Sequence, residues 1–237
     1  MTQRWSSAHI ASVVDLTNLA DECTIDDVDA LCATAIERRV AAVCIHPQFV
    51  ARAADTLSGT GIAVATVLNF PRGEAPPASL IPATTAALEA GATEIDVVIP
   101  WRDLVSGKTS TTVAVIAAVA TFTRRADAMT KAILETGALE EHGLVEKAAR
   151  LAMDAGADFL KTSTGKIARG ATLASARILL TVARSATRDV GVKVSGGIRT
   201  REQAESYLDL ANEMRGIEAC DKTLFRIGAS SLLADLE

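Results

Sequence analysis

Residues 144–165, Leu144-Val145-Glu146-Lys147-Ala148-Ala149-Arg150-Leu151-Ala152-Met153-Asp154-Ala155-Gly156-Ala157-Asp158-Phe159-Leu160-Lys161-Thr162-Ser163-Thr164-Gly165, contain one full repeat of the chain's pattern. Apolar residues from Leu144 to Ala155 recur at helical spacing. Gly156 follows as a C′ glycine, able to take the left-handed backbone that ends a helix. Asp158 to Thr162 is short and mostly apolar, as a strand covered on both faces should be. A Ser/Thr/Gly turn closes the unit.

The same short aliphatic run appears elsewhere. It recurs at Val13–Thr17, Ala41–Ile45, Ile62–Leu68, Glu94–Ile99, Thr130–Glu135, Val190–Val194 and Phe225–Ala229. Ala-rich helical stretches lie between, including Ala83–Ala90, closed by Gly91, and Leu173–Ala183. Eight strands alternating with helices at spacings of about 20–35 residues predict a parallel sheet, best closed as a single (β/α)8 TIM barrel over 1–237. The alternative, a doubly wound open sheet, is disfavoured because no G-x-G-x-x-G follows the first strand. The Pro-rich patch from Pro71 to Pro82 reads as a loop leading into a helix.

Composition narrows the class. Hydrophobic residues make up 49% and charged residues 22% of 237, which excludes a disordered chain. Aromatics are 3%, so the core must be aliphatic. A net charge of −5 supplies no basic field for a nucleic-acid backbone. The longest apolar run, Val113–Ala120, is far short of the ~18 residues a membrane helix needs. Cys23, Cys32, Cys44 and Cys220 form no C-x-x-C pair and no metal spacing with His9, His46 or His142. A reduced, cytoplasmic protein with no metal, no cofactor, no nucleic-acid partner and no membrane partner is expected, and a homodimer is compatible with so aliphatic a chain.

Charges inside the strands are the anomaly, because a barrel interior is a packed core. Side chains alternate along a strand. Alternation puts Lys161 with Phe159 and Ser163, Lys193 with Gly191 and Ser195, Asp96 with Glu94, and Lys131 with Glu135. Each set lies opposite a mostly apolar face. Three lysines and several carboxylates thus converge on the interior, toward the strand ends where barrel enzymes keep their active sites. They read either as satisfied ion pairs or as machinery. A lysine is a nucleophile only when neutral, and burial plus a neighbouring cation lowers its pKa. A nearby carboxylate then moves protons. That is the specification of an imine-forming enzyme, although residue types alone do not say which lysine is the nucleophile. They also leave open whether Lys131 pairs with Glu135 or with Asp96.

Gly165-Lys166, Ser195-Gly196-Gly197 and Gly228-Ala229-Ser230-Ser231 follow the last three strands. Glycines let backbone N–H groups approach an anion, and the loops after strands seven and eight are the recurrent phosphate site of this fold. They read either as a phosphate cradle or as ordinary turns. Asp15 and Thr17 end the first strand and could reach a substrate hydroxyl, or Thr17 or Asn18 could cap a helix. Cys44 reads first as a small core residue. His46 before Pro47 reads as a turn residue, His9 and His142 as surface or turn residues, and Asn69 as a turn former or a substrate-facing group.

At Lys161-Thr162-Ser163-Thr164-Gly165-Lys166 the sequence resembles the deoxyribose-phosphate aldolase family. The resemblance extends to Asp15-Leu16-Thr17, Ala42–Pro47, Asn69-Phe70-Pro71, Glu94–Val98, Glu135-Thr136-Gly137, Lys193–Thr200 and Gly228–Ser231. It departs in small ways, with Val194 after Lys193 and Leu16 between Asp15 and Thr17. The resemblance implies a (β/α)8 barrel that cleaves 2-deoxyribose 5-phosphate to glyceraldehyde 3-phosphate and acetaldehyde, in deoxynucleoside catabolism, without cofactor or metal. It implies that Lys161 forms the imine, that Lys193 depresses its pKa and joins the proton relay, and that Asp96 exchanges protons, through water. Gly165, Lys166, Gly196, Gly197, Ser230 and Ser231, with Thr164, Arg199 and Gly228 beside them, would line the phosphate side. Asp15, Thr17, Cys44 and Lys131 would complete the substrate site. Competing expectations are another lysine-imine aldolase of the same fold, acting on a ketose or keto acid, and a catalytically silent sugar-phosphate-binding barrel.

Overall fold

The apolar runs become eight parallel strands: β1 (Val14–Asn18), β2 (Ala42–Ile45), β3 (Ala63–Leu68), β4 (Glu94–Val98), β5 (Met129–Ile133), β6 (Phe159–Lys161), β7 (Gly191–Ser195) and β8 (Phe225–Ala229). They close in sequence order, with β1 beside β8, as the TIM-barrel reading expects. The computed structural model describes residues 5–236. Helices α1 (Ser7–Ser12), α2 (Ile25–Arg38), α3 (Val50–Leu57), α4 (Pro77–Glu89), α5 (Trp101–Val105), α6 (Thr109–Arg125), α7 (His142–Asp154), α8 (Leu173–Arg184) and α9 (Arg201–Arg215) supply the outer layer. Among the described residues no helix is long and apolar enough to cross a membrane, and Val113–Ala120 lies within α6.

Local signals explain most boundaries. Thr24 and Asp27 form a reciprocal capping box at the start of α2, so the helix begins beyond Thr17 and Asn18. Thr17 instead donates its hydroxyl to the Asp15 carbonyl, and Asn18 Oδ1 accepts from Ala20 N. Thr172 and Thr200 box α8 and α9 in the same manner. Gly91 and Gly156 stand just past α4 and α7 at φ 102° and 105°, as C′ glycines should.

Two expectations need correction. The Pro71–Pro82 patch is not all loop, because α4 starts at Pro77 and holds Pro82 in its interior. Pro77 sits at the helix start, where no N–H is needed, and Pro82 faces outward, where water can satisfy the carbonyl it leaves unpaired. The sixth strand ends at Lys161 rather than Thr162. There the Ser195 N–H donates to the Thr162 hydroxyl at 3.0 Å instead of to a backbone carbonyl.

The two faces of the barrel wall differ. The outward face is aliphatic: Val43, Ile95, Val97, Leu160, Val192, Val194 and Ile227 are buried with the helices. Each such side chain contributes roughly 1.5–3 kcal/mol by leaving water. The inward face is divided. On β2 and β3 it is small and apolar, with Cys44, Ala65 and Val67 packed beside Leu19 and Phe70. Around the rest of the circle it is charged. Asp96 is registered with Lys131, Ile133 with Lys161, Lys161 with Lys193, and Lys193 with Arg226. Gly191 leaves room for the Phe159 ring, which a Cβ at that position would overlap.

Candidate active site

The C-terminal ends of β6, β7 and β8 open into a cavity of about 370 Å³. Ten of the expected site residues line it: Thr17, Lys161, Thr164, Gly165, Lys166, Gly196, Gly197, Arg199, Gly228 and Ser230. Leu19, Ala20 and Ile198, which the sequence reading did not single out, line it as well, as does Asn18, which it offered only as a helix cap. Ser231 is exposed one residue beyond the lining.

Lys161 is the only member of the interior charge cluster that reaches this wall, and it is 3% exposed. Its Nζ donates to Asp96 Oδ2 at 2.7 Å. Lys193 Nζ donates to the same oxygen at 2.8 Å and pairs with Asp15 Oδ2 at 2.5 Å. Lys131 donates to Asp96 Oδ1 at 3.0 Å and to Glu94, and lies 3.5 Å from Asp15. The open question about Lys131 is thereby answered: its partners are Asp96, Glu94 and Asp15. Arg226 closes the floor, donating to Asp15 at 2.6 Å and to Glu94 at 2.8 Å, with its guanidinium 5.7 Å from the Phe159 ring centroid. It also donates from Nε to the Lys222 carbonyl at 2.5 Å.

Four cations therefore meet three carboxylates, all of them buried, with Lys161 alone at the cavity wall. Formal charges balance only if one cation gives up its proton. Burial alone would raise Asp96, but Lys131, Lys161 and Lys193 together hold its carboxyl well below the ordinary range. Asp15 is likewise driven below the ordinary range: burial raises it, and Lys193, Lys131 and Arg226 prevail. Lys193 behaves oppositely to Lys161. Burial would lower it, yet Asp15 and Asp96 push it well above the usual lysine range. Lys131 is raised in the same manner, and Arg226 too is raised by its two carboxylates. Of the four cations only Lys161 is lowered. Its burial is the largest cause, Asp96 pulls the other way, and Lys193 restores part of the lowering. The group nearest the cavity is thus the one most ready to become a free amine.

The glycine turns stand beside it. Gly165, Gly196 and Gly197 have φ of 78°, 90° and 87°, in the region that favours glycine. Gly170 is packed so closely on Gly196 that a Cβ would collide with the Gly196 carbonyl. Ala171 N donates to the Ser195 and Gly196 carbonyls, both at 3.1 Å, which fastens the loop after β6 to the loop after β7. Lys166 is on the rim, 3.8 Å from Asp21.

Other expected residues lie elsewhere. Asp15, Cys44 and Lys131 are fully buried and form no part of the cavity lining. Cys44 packs against Leu19, Ala65 and Val67, and burial pushes its thiol up, as the core reading expects. Asn69 serves the turn after β3, donating to the Val98 carbonyl at 2.8 Å and accepting from Ala75 N at 2.7 Å. His46 stands before Pro47, edge-on to Phe70, while His9 meets the Cys220 carbonyl at 3.0 Å. Arg226 escaped notice in the sequence, although alternation puts it on the face of Gly228. Among the described residues no His, Cys, Asp or Glu group of three or more has the arrangement of a metal site.

The family model described as DeoC/LacD family aldolase matches residues 9–237. A solved protein from Coccidioides immitis, provisionally named deoxyribose-phosphate aldolase, is 30% identical over 97% of this chain and 86% of its own, with a TM-score of 0.84. One from Toxoplasma gondii with the same provisional name is 26% identical, covering 97% of this chain and 94% of its own, with a TM-score of 0.88. The deoxyribose phosphate aldolase of Aeropyrum pernix, described as a tetramer, is 28% identical, covering 98% of this chain and 91% of its own, with a TM-score of 0.81.

Proposed function

The chain belongs to the DeoC/LacD aldolase family, and on that premise we propose that this enzyme reversibly cleaves 2-deoxyribose 5-phosphate to glyceraldehyde 3-phosphate and acetaldehyde through an imine on Lys161. The observation that carries the reading is one lysine, lowered in pKa, at the wall of a cavity whose rim is built from glycine turns and Lys166.

Neutral Lys161 attacks the C1 aldehyde of the open-chain sugar. Protonation of the resulting carbinolamine and loss of water leave an iminium that draws electrons from the C2–C3 bond. The C3 hydroxyl gives up its proton to the Asp96 carboxylate, through water. The C2–C3 bond breaks and glyceraldehyde 3-phosphate departs. The remaining enamine is protonated at C2 and hydrolysed, which releases acetaldehyde and restores the amine. Lys193 remains an ammonium throughout, holding Asp96 ionised and Lys161 short of a proton. Gly165, Lys166, Gly196, Gly197, Arg199 and Ser230 bind the phosphate, and Thr17, in the same lining on β1 beside β8, meets the sugar. The reading places the enzyme in deoxynucleoside catabolism in the cytoplasm.

Borohydride trapping tests it. The protein is incubated with 2-deoxyribose 5-phosphate, reduced, and mapped by mass spectrometry. An adduct on Lys161 is expected, together with acetaldehyde release. An adduct on Lys193 or Lys131 would overturn the assignment of roles. No adduct on the folded protein would favour a silent sugar-phosphate-binding barrel.

A further inference from the structure

Glu135 stands just beyond β5, 1% exposed, with a left-handed backbone at φ 54°. It does not line the cavity. Both of its carboxylate oxygens are committed to one neighbour on the next loop. Thr164 N donates to Oε1 at 3.2 Å, and the Thr164 hydroxyl donates to Oε2 at 2.5 Å. Because that hydroxyl proton is used on Glu135, the Thr164 oxygen presents a lone pair to the turn, and Lys166 N donates to it at 3.0 Å. Glu135, Thr164 and the Gly165–Lys166 turn therefore form one chain of directed bonds. A buried carboxylate whose hydrogen bonds all come from neutral donors, with Lys161 acting on it at longer range, adds little net stability and is better understood as fixing geometry. An unusual backbone conformation kept beside a site points the same way.

We propose that Glu135 is a positioning residue that sets the preference for a phosphorylated over an unphosphorylated sugar, acting through Thr164 on the Gly165–Lys166 turn. This rests on the phosphate reading of the cavity given above. Glu135 does not touch the reacting carbons. It acts by holding the Lys166 N–H and side chain where a phosphate oxygen would meet them. Without it the Thr164 hydroxyl is free to rotate and the turn loses its anchor.

The test compares kcat/KM for 2-deoxyribose 5-phosphate with kcat/KM for 2-deoxyribose, alongside calorimetric titration with inorganic phosphate. In Glu135→Ala the ratio of the two kcat/KM values falls at least tenfold and phosphate binds at least tenfold more weakly. Glu135→Gln, which keeps one acceptor, falls between. Thr164→Val reproduces the loss, Thr164→Ser restores the ratio, and the Glu135→Ala/Thr164→Val pair is no worse than either single change, as expected for residues acting in series. A ratio within twofold of the parent in folded Glu135→Ala overturns the proposal. An equal fall on both sugars does so too, because Glu135 would then act on Lys161 chemistry. If the parent enzyme turns over neither sugar, the aldol reading fails by itself. The phosphate titration then decides: dependence on Glu135 upholds the proposal, and its absence, or no phosphate binding at all, overturns it. Should Glu135→Ala fail to fold, the Thr164 variants carry the same comparison.

Discussion

Lys161 and Lys193 donate to one and the same oxygen, Oδ2 of Asp96, at 2.7 and 2.8 Å. Two ammonium groups sharing one acceptor repel each other, and at an effective dielectric near 20 a pair of unit charges ~4 Å apart interacts by roughly 4 kcal/mol. Lys193 has a second carboxylate, Asp15, and Lys161 has none. Lys161 therefore holds its proton less tightly than Lys193, and the asymmetry is built from which lysine Asp15 can reach.

The first prediction concerns pH. On the proposed mechanism Lys161 acts only as the free amine, so kcat/KM falls as pH drops through its lowered pKa. Lys193→Met removes the repulsion and leaves Asp96 more fully to Lys161, and both effects favour the protonated amine. The acid limb of the pH–rate profile then moves to higher pH, and the rate at neutral pH falls by about 10²-fold or more. A profile that keeps its position in Lys193→Met would refute this account of the lowering.

Lys161→Leu supplies the second prediction. Turnover is abolished and no borohydride adduct forms, while the barrel remains folded, because Asp96 keeps Lys131 and Lys193 as partners. Residual aldol cleavage in this variant would transfer the imine to another lysine.

Acid stability gives the third. Asp15 and Asp96 have folded-state pKa values below their unfolded ones. Their contribution is thus fully present above pH ~4, the ordinary aspartate value, and is lost only as pH falls through the folded-state values. Asp96→Asn leaves three lysines around a neutral amide and should cost about 3–5 kcal/mol at pH 7 in urea unfolding. The difference from the parent should shrink in strong acid. A constant difference down to low pH would contradict the depressed Asp96.

Arg226→Met is the fourth. It strands Asp15 and Glu94 on one side, and should destabilise the fold by about 3–5 kcal/mol in the same unfolding measurement. Arg226→Lys recovers only part, since one ammonium cannot make the forked contact to two carboxylates. A loss under about 1 kcal/mol in Arg226→Met would mean that water enters the floor.

Gly191→Ala is the fifth. The new Cβ overlaps the Phe159 ring, which should cost about 1–3 kcal/mol, and Phe159→Leu should return part of that loss. Melting temperatures of the two single variants and the pair measure the coupling.

Much of this was legible in the chain. Period-two alternation placed Lys131, Lys161, Lys193 and Asp96 inside, because a strand has only two faces. What alternation does not give is height along the barrel axis. Asp15, Cys44 and Lys131 share the interior with Lys161 but are fully buried and do not line the cavity. Arg226 carries no local signal, because its partners, Asp15 and Glu94, are 211 and 132 residues away and no neighbouring carboxylate marks it. Glu135 reads as one more inward carboxylate. Its left-handed φ and its grip on Thr164 depend on how two loops meet, which no local pattern encodes.

The ring of charge has a consequence for how the chain finds its fold. Its members come from β1, β4, β5, β6, β7 and β8, and each is matched to a neighbour at one alignment of the strands. Sliding any of those strands by one residue would turn its charge out among the helices and leave its partners buried without a counter-ion. Such a loss costs several kcal/mol per site, a large share of what holds a domain together. Mis-threaded barrels are penalised before they can compete, so the side chains assigned here to aldol chemistry also act as a check on strand alignment during folding.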